Sequence, residues 1–430
     1  MKLPASILVA LAVLVGSAGT ALAIERFPPP DFESGHKLPT TQYPAPHAVA
    51  WEYVDVAALA VALALASALA LRVRSRRALF VLMLASLAYF GFWRKGCVCP
   101  IGAIQNVTLA LADPGYRVPL VVVAFFALPL GFTLVFGRSF CAAVCPLGAL
   151  QDAVLVRPVR VPAWLEQGLR VLPYVYLGAA VLFAATGSAF VICQYDPFVA
   201  IFRLSGSLGM VLLGAAFLLV GLVVGRPYCR FLCPYGVLLG WLSRVSKWRV
   251  TITPAECVHC RLCEDACPFG AIQTPTEAPT TDERAEGRRR VGRLLVLLPV
   301  LVAVGGVVGW WLGPPMSRMH ATVRLAERVW LEEEGKVEGD TDESQAFRRT
   351  GRPSEELYAK ALGLRGRFAV GGAALGAWVG LVVGVKLLAL SIRRTRADYE
   401  ADRSTCLACG RCFAYCPVER DRLKKRATHG

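Results

Sequence analysis

Long apolar runs dominate this sequence and restrict it to folds that a lipid bilayer can hold. Of its 430 residues, 55% are hydrophobic and only 18% are charged, whereas soluble globular proteins carry about 25% charged residues. The pattern excludes a disordered chain, a coiled coil and an ordinary soluble enzyme. Each run approaches the ~20 residues that cross a bilayer as a helix. Seven predicted spans follow the amino-terminal region: 54–71, 78–93, 118–136, 171–193, 208–225, 294–312 and 368–392.

The amino-terminal segment has the features of a secretory signal. A single lysine precedes an apolar stretch at 7–15, and the Ala-Leu-Ala at 21–23 has the small-residue pattern of a cleavage site. We predict a signal peptide over 1–23, with an uncleaved anchor helix as the alternative. The polar, proline-rich chain that follows is predicted to be a periplasmic segment over 24–53.

Basic residues in the loops orient the predicted spans. The first loop carries four arginines within 72–77, and lysine and arginine are enriched in cytoplasmic loops. Alternation of the spans then places 137–170, 226–293 and 393–430 in the cytoplasm as well. The formal net charge of +16 is concentrated beside helix ends, where it meets anionic head groups. We therefore predict contact with the membrane surface and no nucleic-acid binding.

Eight of the fifteen cysteines form two copies of one motif, C-x-x-C-x-x-C-x-x-x-C-P. This is the bacterial ferredoxin spacing for [4Fe–4S] binding, in which the fourth cysteine of each run ligates the other cluster. Zinc and disulfides are the alternatives, but zinc usually takes paired ligands and cytoplasmic thiols stay reduced. We predict one cluster on Cys257, Cys260, Cys263 and Cys416, and another on Cys406, Cys409, Cys412 and Cys267.

The two ferredoxin halves are far apart in the chain. We predict the first over 251–293 and the second over 393–430, with a transmembrane hairpin at 294–392 and its periplasmic segment 313–366 between them. One module must then be assembled from halves that meet at the cytoplasmic face. The predicted fold class is an all-α polytopic membrane protein of about seven transmembrane helices, with a cytoplasmic α+β module that resembles a two-cluster bacterial ferredoxin.

Four more cysteines belong to a motif that occurs twice in the predicted transmembrane region 54–250. It reads Gly-Arg-x-(Phe/Tyr)-Cys-x-x-x-Cys-Pro-x-Gly and begins at Gly137 and again at Gly225. Four thiols on one face can hold a third cluster or another soft metal, or form redox-active pairs. Thiols that only pack are the alternative. The candidate third site contains Cys141, Cys145, Cys229 and Cys233.

The last three cysteines lie on the predicted outer face. Cys97 and Cys99 precede Pro100 in a shortened copy of the same motif, and Cys193 ends the fourth predicted span on that side. We hypothesise that the three converge as a metal site, a disulfide pair or a flavin contact, with unreactive thiols as the alternative. The sequence contains no C-x-x-C-H motif and no histidine within a span, so haem chemistry is not indicated.

Together, these motifs resemble the polyferredoxin membrane proteins of periplasmic respiration. These are the NapH-type quinol dehydrogenase subunits and the membrane part of NosR-type regulators of nitrous oxide reduction. The resemblance covers roughly residues 50–430. It implies a bacterial inner-membrane protein with two [4Fe–4S] clusters, a quinone-pool or cytoplasmic electron donor, and a periplasmic acceptor such as a cytochrome, flavoprotein or reductase subunit. This chain departs from NosR-type proteins in having too short a segment between the signal and the first span for an outer flavin domain. It departs from NapH in its motif at Cys97 and Cys99 and in the outer segment between the two ferredoxin halves.

We therefore predict an electron-transfer protein, with its classification as an enzyme left open. A single hop does not cross the ~30 Å of hydrocarbon, so either quinol diffuses to this protein or the outer cysteines complete a relay, and we favour quinol. The main alternative is an assembly or maturation factor that supplies electrons to a metal or thiol during cofactor insertion. A structural role for the clusters is the third possibility.

Overall fold

In the computed structural model, the described residues are 49–428 except 97, 253–256, 279 and 393. The predicted signal peptide, most of the segment 24–53 and Cys97 lie outside them. The described part is mainly helical. Its first helices are α1 (Val49–Ala68), α2 (Arg76–Ser86), α3 (Pro100–Ala112), α4 (Leu120–Phe136), α5 (Ser139–Ala143), α6 (Pro146–Ala153), α7 (Ala163–Leu169) and α8 (Leu172–Ala185). Five more follow: α9 (Val191–Gln194), α10 (Val199–Arg203), α11 (Leu208–Gly221), α12 (Pro227–Phe231) and α13 (Pro234–Arg244).

The carboxyl-terminal half contains a long helical hairpin between two cysteine-rich segments. Its elements are α14 (Leu262–Asp265), β1 (Ile272–Gln273), α15 (Thr281–Met316), α16 (Ala321–Glu333), α17 (Asp342–Arg349), α18 (Ser354–Ser391), β2 (Glu400–Ala401), α19 (Arg411–Tyr415) and α20 (Pro417–Thr428). Short π-helical segments extend α1 over Leu69–Val73 and α2 over Leu87–Trp93, and a 3₁₀ turn extends α15 over Ser317–Met319.

Within the described residues, five helical stretches are long and apolar enough to cross a membrane: Ala50–Val73, Arg76–Trp93, Ala163–Ala185, Thr281–Met319 and Ser354–Ser391. The predicted spans 118–136 and 208–225 correspond to α4 and α11, which have 17 and 14 residues. Both are shorter than the ~20 residues of a full crossing. The number of crossings and the side on which each loop lies therefore stay predictions.

The predicted span 171–193 is wrong at its carboxyl end. Helix α8 stops at Ala185, because Gly187 takes a left-handed φ of 66°, a conformation that glycine tolerates and a continuing helix does not. Cys193 lies instead on the separate four-residue helix α9. The Thr-Gly-Ser at 186–188 is a signal in the sequence for such a break, because glycine commonly follows the last helical residue.

The hairpin of α15 and α18 packs backbone against backbone. Gly305 and Gly309 on α15 face the chain of α18 at Gly376 and Gly372, and a Cβ atom added at any of these positions would overlap the opposite carbonyl group. Small residues permit this close approach, which is typical of helix pairs in membranes. Beyond the hairpin, α16 packs against α18 through a small apolar cluster.

The two ferredoxin halves share one small sheet. Strand β1 pairs antiparallel with β2, with Ile272 opposite Ala401 and Gln273 opposite Glu400. An isolated bridge between Thr276 and Arg396 extends the pairing. The cysteine-rich segments on either side of the hairpin are therefore held together by backbone hydrogen bonds.

A matched pair of glycine substitutions tests the packing of the hairpin. Gly376→Ala should lower the free energy of unfolding by about 1–3 kcal/mol, because the new methyl group overlaps the backbone at Gly305. Gly363→Ala on the same helix meets nothing within 4 Å and should raise it by about 0.5–1 kcal/mol. Denaturation followed by circular dichroism measures both, and changes of the same sign would contradict this packing.

Candidate metal centre

Both copies of the CxxxCP motif contribute to one group of thiols, here called the four-thiol site (Cys141, Cys145, Cys229 and Cys233). Cys145 and Cys233 are buried in the core, and the other two are half-buried and pack against it. The other three thiols all lie close enough to Cys145 to raise the pKa of its thiol. The structure therefore brings together the four cysteines of the candidate third site.

Burial disfavours the thiolate forms of these cysteines. Loss of hydration, together with the neighbouring sulfurs, raises the pKa of Cys145 and Cys233 well above that of an ordinary thiol. Burial also raises the pKa of Cys229 to about 11, although the Arg226 guanidinium opposes the shift. A cationic metal centre reverses this balance, because a coordinated thiol loses its proton.

Each copy begins a helix directly after its second cysteine. Cys145 and Cys233 have extended backbone, and the proline that follows each stands in the first helical turn, where its fixed φ and missing N–H are favourable. The N–H groups of Gly148 and Gly236, three residues after the cysteines, lie close enough to the cysteine sulfurs to oppose the rise in their pKa. N–H groups in such positions tune the potential of a metal centre that the sulfurs ligate.

The two copies exchange arginines across the site. A Cβ atom on Gly148 would lie 3.0 Å from Nη1 of Arg226, and one on Gly236 would lie 3.2 Å from Nη2 of Arg138. Each glycine therefore leaves room for the guanidinium that the other copy supplies. Arg138 also donates to the Cys141 sulfur at 3.8 Å and to the Ser404 carbonyl at 2.8 Å.

Gln151 joins the first copy to the second. This buried side chain accepts the Tyr228 N–H at 3.0 Å and donates to the Cys229 sulfur at 3.3 Å. It also donates to the Leu147 carbonyl one turn earlier in α6, at 2.9 Å. The position of Cys229 is thus set by a hydrogen-bonded amide of the other copy.

Asp152, the next residue, binds three arginines from three parts of the chain. Its carboxylate lies 2.9 Å from Arg76, 3.6 Å from Arg226 and 3.2 Å from Arg411. Although burial alone raises the pKa of Asp152, the guanidinium groups of Arg226, Arg411 and Arg76 outweigh it and lower that pKa to about 2. Since Arg411 begins α19, this ion cluster docks the second ferredoxin half against α6.

The structure groups Cys267 with the second ferredoxin run. The thiol of Cys412 lies within electrostatic reach of Cys406, Cys409 and Cys267, and the last two pack in one apolar cluster with Phe269. This is the grouping that the cross-ligation pattern predicts. Ligation itself stays a prediction.

Three of the four predicted ligands of the first cluster are near one another in the structure. Cys263 lies within electrostatic reach of Cys257 and Cys260, whereas Cys416 ends α19 and its place in this set stays a prediction. Ligand atoms of Cys257, His259 and Asp398 also lie within 4.8 Å of one another. That group shares Cys257 with the predicted cluster, so the two assignments exclude each other.

The four-thiol site lies directly beside the second ferredoxin set. Cys141 packs against the apolar cluster that contains Phe269, Leu407 and Cys409. The guanidinium of Arg226 is within electrostatic reach of both Cys409 and Cys141 and lies 5.5 Å from the centre of the Phe269 ring. One arginine and one aromatic ring therefore connect the two groups of thiols.

Two of the three outer cysteines line one cavity. Cys99 and Cys193 border a space of about 390 Å³ together with Asp196 and Arg203. Burial raises the pKa of Asp196 to about 6, even though its carboxylate accepts backbone N–H groups. Cys97, the third predicted member, lies outside the described residues.

Sequence reasoning assigned no role to Arg138, Arg226 or Gln151. A signal for the arginines was present, because both copies of the motif begin with Gly-Arg. Gln151 follows Cys145 by six residues, as Gln105 follows Cys99. What such residues contact depends on chain segments that are distant in sequence.

Two family profiles match this chain, over three segments. One profile, described as a 4Fe–4S binding domain, matches residues 118–162 and 207–253 and so covers both copies of the CxxxCP motif. A second, also described as a 4Fe–4S binding domain, matches 250–273 and covers the first ferredoxin run. Two 4Fe–4S binding domains are therefore present. With its apolar helices, the chain fits a membrane polyferredoxin.

Similar proteins come from archaea and bacteria. The uncharacterised protein MJ0750 of Methanocaldococcus jannaschii is 28% identical over 42% of this chain and 77% of its own length. YccM of Escherichia coli, whose name assigns it provisionally to electron transport, is 26% identical over 39% of this chain and 52% of its own. Protein NirI of Paracoccus denitrificans is 33% identical over 27% and 18%. No solved structure matches.

Replacement of Asp152 tests the ion cluster. Its folded pKa of about 2 lies below the usual value of about 3.9, so its ionised form stabilises the fold above about pH 4, and this contribution is lost as the pH falls toward 2. Asp152→Asn leaves three arginines facing a neutral amide and should cost about 3–5 kcal/mol of unfolding free energy at neutral pH. Denaturant titration measures the loss.

Asp265→Asn provides the control, because Asp265 is an exposed aspartate that pairs with Arg160. This surface pair should contribute less than about 1 kcal/mol. The role given to Asp152 is wrong if the two variants lose equal stability, or if Asp152→Asn keeps the acid-dependent step of the parent protein.

Proposed function

We propose that this protein carries single electrons across the bacterial inner membrane, between the quinone pool or a cytoplasmic donor and a periplasmic respiratory partner. The observation that carries the proposal is that Cys141 of the four-thiol site packs against the apolar cluster that contains Cys409 of the second ferredoxin set. A bound [4Fe–4S] cluster exchanges one electron without bond changes in the protein. The chain's own residues then have to hold, insulate and tune such clusters.

Three cluster positions follow from the cysteines. Two are the ferredoxin sets predicted from the spacing, and the third is the four-thiol site. The third is supported by the family profile over 118–162 and 207–253, whose description as a 4Fe–4S binding domain falls on the CxxxCP cysteines. Two helix-starting prolines and the donors at Gly148 and Gly236 would fix the four sulfurs around it.

The charges around the four-thiol site fit a cluster. A cubane with four thiolate ligands is net negative, and such a charge needs compensation when it is buried. Arg138 and Arg226 are both buried beside the thiols. Among the described residues, the Nε atoms of both arginines are buried without a hydrogen-bond partner, so the site retains unused positive donors.

The ferredoxin module belongs, in this proposal, on the cytoplasmic side. Arg74, in the arginine-rich loop 72–77, lies 2.7 Å from Glu419 of α20, and Arg76 donates to the Cys409 carbonyl at 3.2 Å. The loop and the module therefore lie on one side of the protein. Because arginine-rich loops stay in the cytoplasm, the module is assigned there too.

The similarity to YccM and to NirI supports a role in electron transport. The chain spans about half of YccM and less than a fifth of NirI, so partners and substrates are not transferred from either. Within this proposal the protein is of NapH or NosR type, and the periplasmic partner is a cytochrome, a flavoprotein or a reductase subunit.

A cavity of about 330 Å³ gives a quinol a place beside the four-thiol site. It is lined by Arg138, Tyr174, Cys229 and Lys386 among others, which supply donors for a quinone oxygen next to a cluster ligand. Small-molecule sites typically combine such a few polar groups with an apolar wall. The Lys386 ammonium donates to the Gln167 carbonyl at 3.3 Å at the edge of this cavity.

Reduction of the protein by a quinol analogue tests this function. Added without oxygen, the quinol should bleach the visible absorbance of the clusters, and Lys386→Met should slow that reduction by about tenfold, or ~1.4 kcal/mol of barrier. Reduction by dithionite should be unchanged in the variant. Stopped-flow absorbance measures both rates.

Lys360→Met on the same helix is the matched control, because Lys360 is exposed and pairs with Glu356. It should leave both rates unchanged. If quinol does not reduce the protein, while electrons pass from another donor to a bound metal ion or thiol, the maturation-factor alternative is favoured instead.

A further inference from the structure

We propose that Cys99, Cys193 and Asp196 ligate an additional iron–sulfur cluster, in a site that repeats three of the four ligand positions of the four-thiol site, with aspartate at one of them. We call these three residues the outer site. The inference goes beyond the proposed function and does not require it, because it rests on a structural repeat, a cavity and an unpartnered buried amide.

The first half of the repeat is the helix that follows a Cys-Pro pair. Pro100 begins α3 after Cys99, as Pro146 begins α6 after Cys145. In both copies a glycine follows the cysteine by three residues. The Gly102 N–H donates to the Cys99 sulfur at 3.5 Å, and the Gly148 N–H lies close enough to the Cys145 sulfur to oppose the rise in its pKa. The two cysteines thus occupy the same position relative to their helices.

The second half is a short helix held by a glutamine. Gln151 accepts the N–H of Tyr228, the residue before Cys229, at 3.0 Å. Gln105 accepts the N–H of Ile192, the residue before Cys193, also at 3.0 Å. Cys193 therefore stands where the four-thiol site has Cys229.

Asp196 completes the correspondence. It precedes Pro197, as Cys233 precedes Pro234, although it follows Cys193 by three residues where Cys233 follows Cys229 by four. Asp196 is only 3% exposed, and one carboxylate oxygen accepts the Phe198 N–H at 2.9 Å. A carboxylate can ligate iron in place of a thiolate, so the exchange keeps an anionic ligand.

Gln105 carries an unused donor at this site. The residue is fully buried, and among the described residues its Nε2 has no hydrogen-bond partner. The corresponding Nε2 of Gln151 donates to the Cys229 sulfur at 3.3 Å. An unpaired buried amide is costly, and a sulfide or thiolate of a bound cluster would supply the missing acceptor.

The available space favours a cluster over a single ion. Cys99, Cys193 and Asp196 border a cavity of about 390 Å³. A Cβ atom on Gly102 would lie 3.0 Å from the Cys193 sulfur, so the glycine makes room for that thiol. Among the described residues, Cys257, His259 and Asp398 are the only set of three such ligands whose atoms all lie within 4.8 Å of one another. At least one pair of outer ligand atoms is therefore farther apart, as ligands on different iron atoms can be.

The outer site approaches the four-thiol site through one buried ring. The phenol of Tyr228 is within electrostatic reach of Asp196 and Cys99 and also of Cys233. Its hydroxyl is buried and, in the described part of the chain, has no hydrogen-bond partner. Tyr228 therefore lies between the outer site and the four-thiol site.

Alkylation of the unmodified protein tests the proposal without a variant. Cys193 is exposed, so as a free thiol it should react with a maleimide within minutes. In protein purified without oxygen we expect mass spectrometry to find it protected until iron is removed by a chelator under oxidising conditions. Immediate labelling of Cys193 in the iron-loaded protein would overturn the proposal.

Three variants locate the metal. Cys193→Ser should lose both iron and acid-labile sulfide and one electron paramagnetic resonance signal, with the other signals kept. Asp196→Asn can keep the hydrogen bond from the Phe198 N–H but removes the charge. This variant should also lose iron, and the same resonance signal should weaken. Asp113→Asn, which can keep the turn that accepts the Gly115 N–H at 2.9 Å, should change nothing.

Three other results of metal analysis would contradict the cluster assignment. Loss of iron without sulfide in Cys193→Ser, or loss of copper or zinc instead, would overturn the cluster assignment. Iron and sulfide equal to those of the parent protein would also overturn it. Each readout concerns Cys193 and not Cys229, so failure here is distinguishable from failure of the proposed function.

Discussion

The arrangement of this protein depends on one buried carboxylate, Asp152. A charge in such surroundings is stable only when it is paired, and its partners Arg76, Arg226 and Arg411 come from the start of α2, from the second CxxxCP motif and from the second ferredoxin half. Satisfying this one group therefore fixes the position of the ferredoxin module against the four-thiol site. The same Arg226 then faces Cys141 and Cys409, so structural and functional requirements meet in one side chain.

Close packing of backbones is the second constraint. The glycines of α15 and α18 bring two long helices into contact, and the pairing of β1 with β2 joins the segments at the two ends of this hairpin. The two halves of the ferredoxin module, which are separated in sequence, are thereby joined to each other. At the four-thiol site, Gly148 and Gly236 serve a similar purpose, because each admits an arginine where a side chain would exclude it.

The cysteine groupings were the part of the site that sequence could predict, because the spacing of the ligands is set by the cluster and not by the fold. The grouping of Cys267 with Cys406, Cys409 and Cys412 is of this kind. The end of α8 had a local signal in the Thr-Gly-Ser at 186–188, which the prediction of one span over 171–193 passed over. The separate four-residue helix of Cys193 is too short for a periodic pattern to predict. The spacing of Gln151 from Cys145 recurs at Gln105 and Cys99, but only the folded chain shows which distant groups Gln151 and Asp152 contact.

The central claim is that two copies of one motif hold a cluster between them, and counting iron and acid-labile sulfide in Cys229→Ser tests it most directly. In protein purified without oxygen, the variant should contain about four iron and four sulfide fewer per chain than the parent, as one cubane requires. One resonance signal should disappear while those of the ferredoxin module stay. Equal iron and sulfide in the two proteins, with the four thiols recovered as free cysteines, would contradict the account.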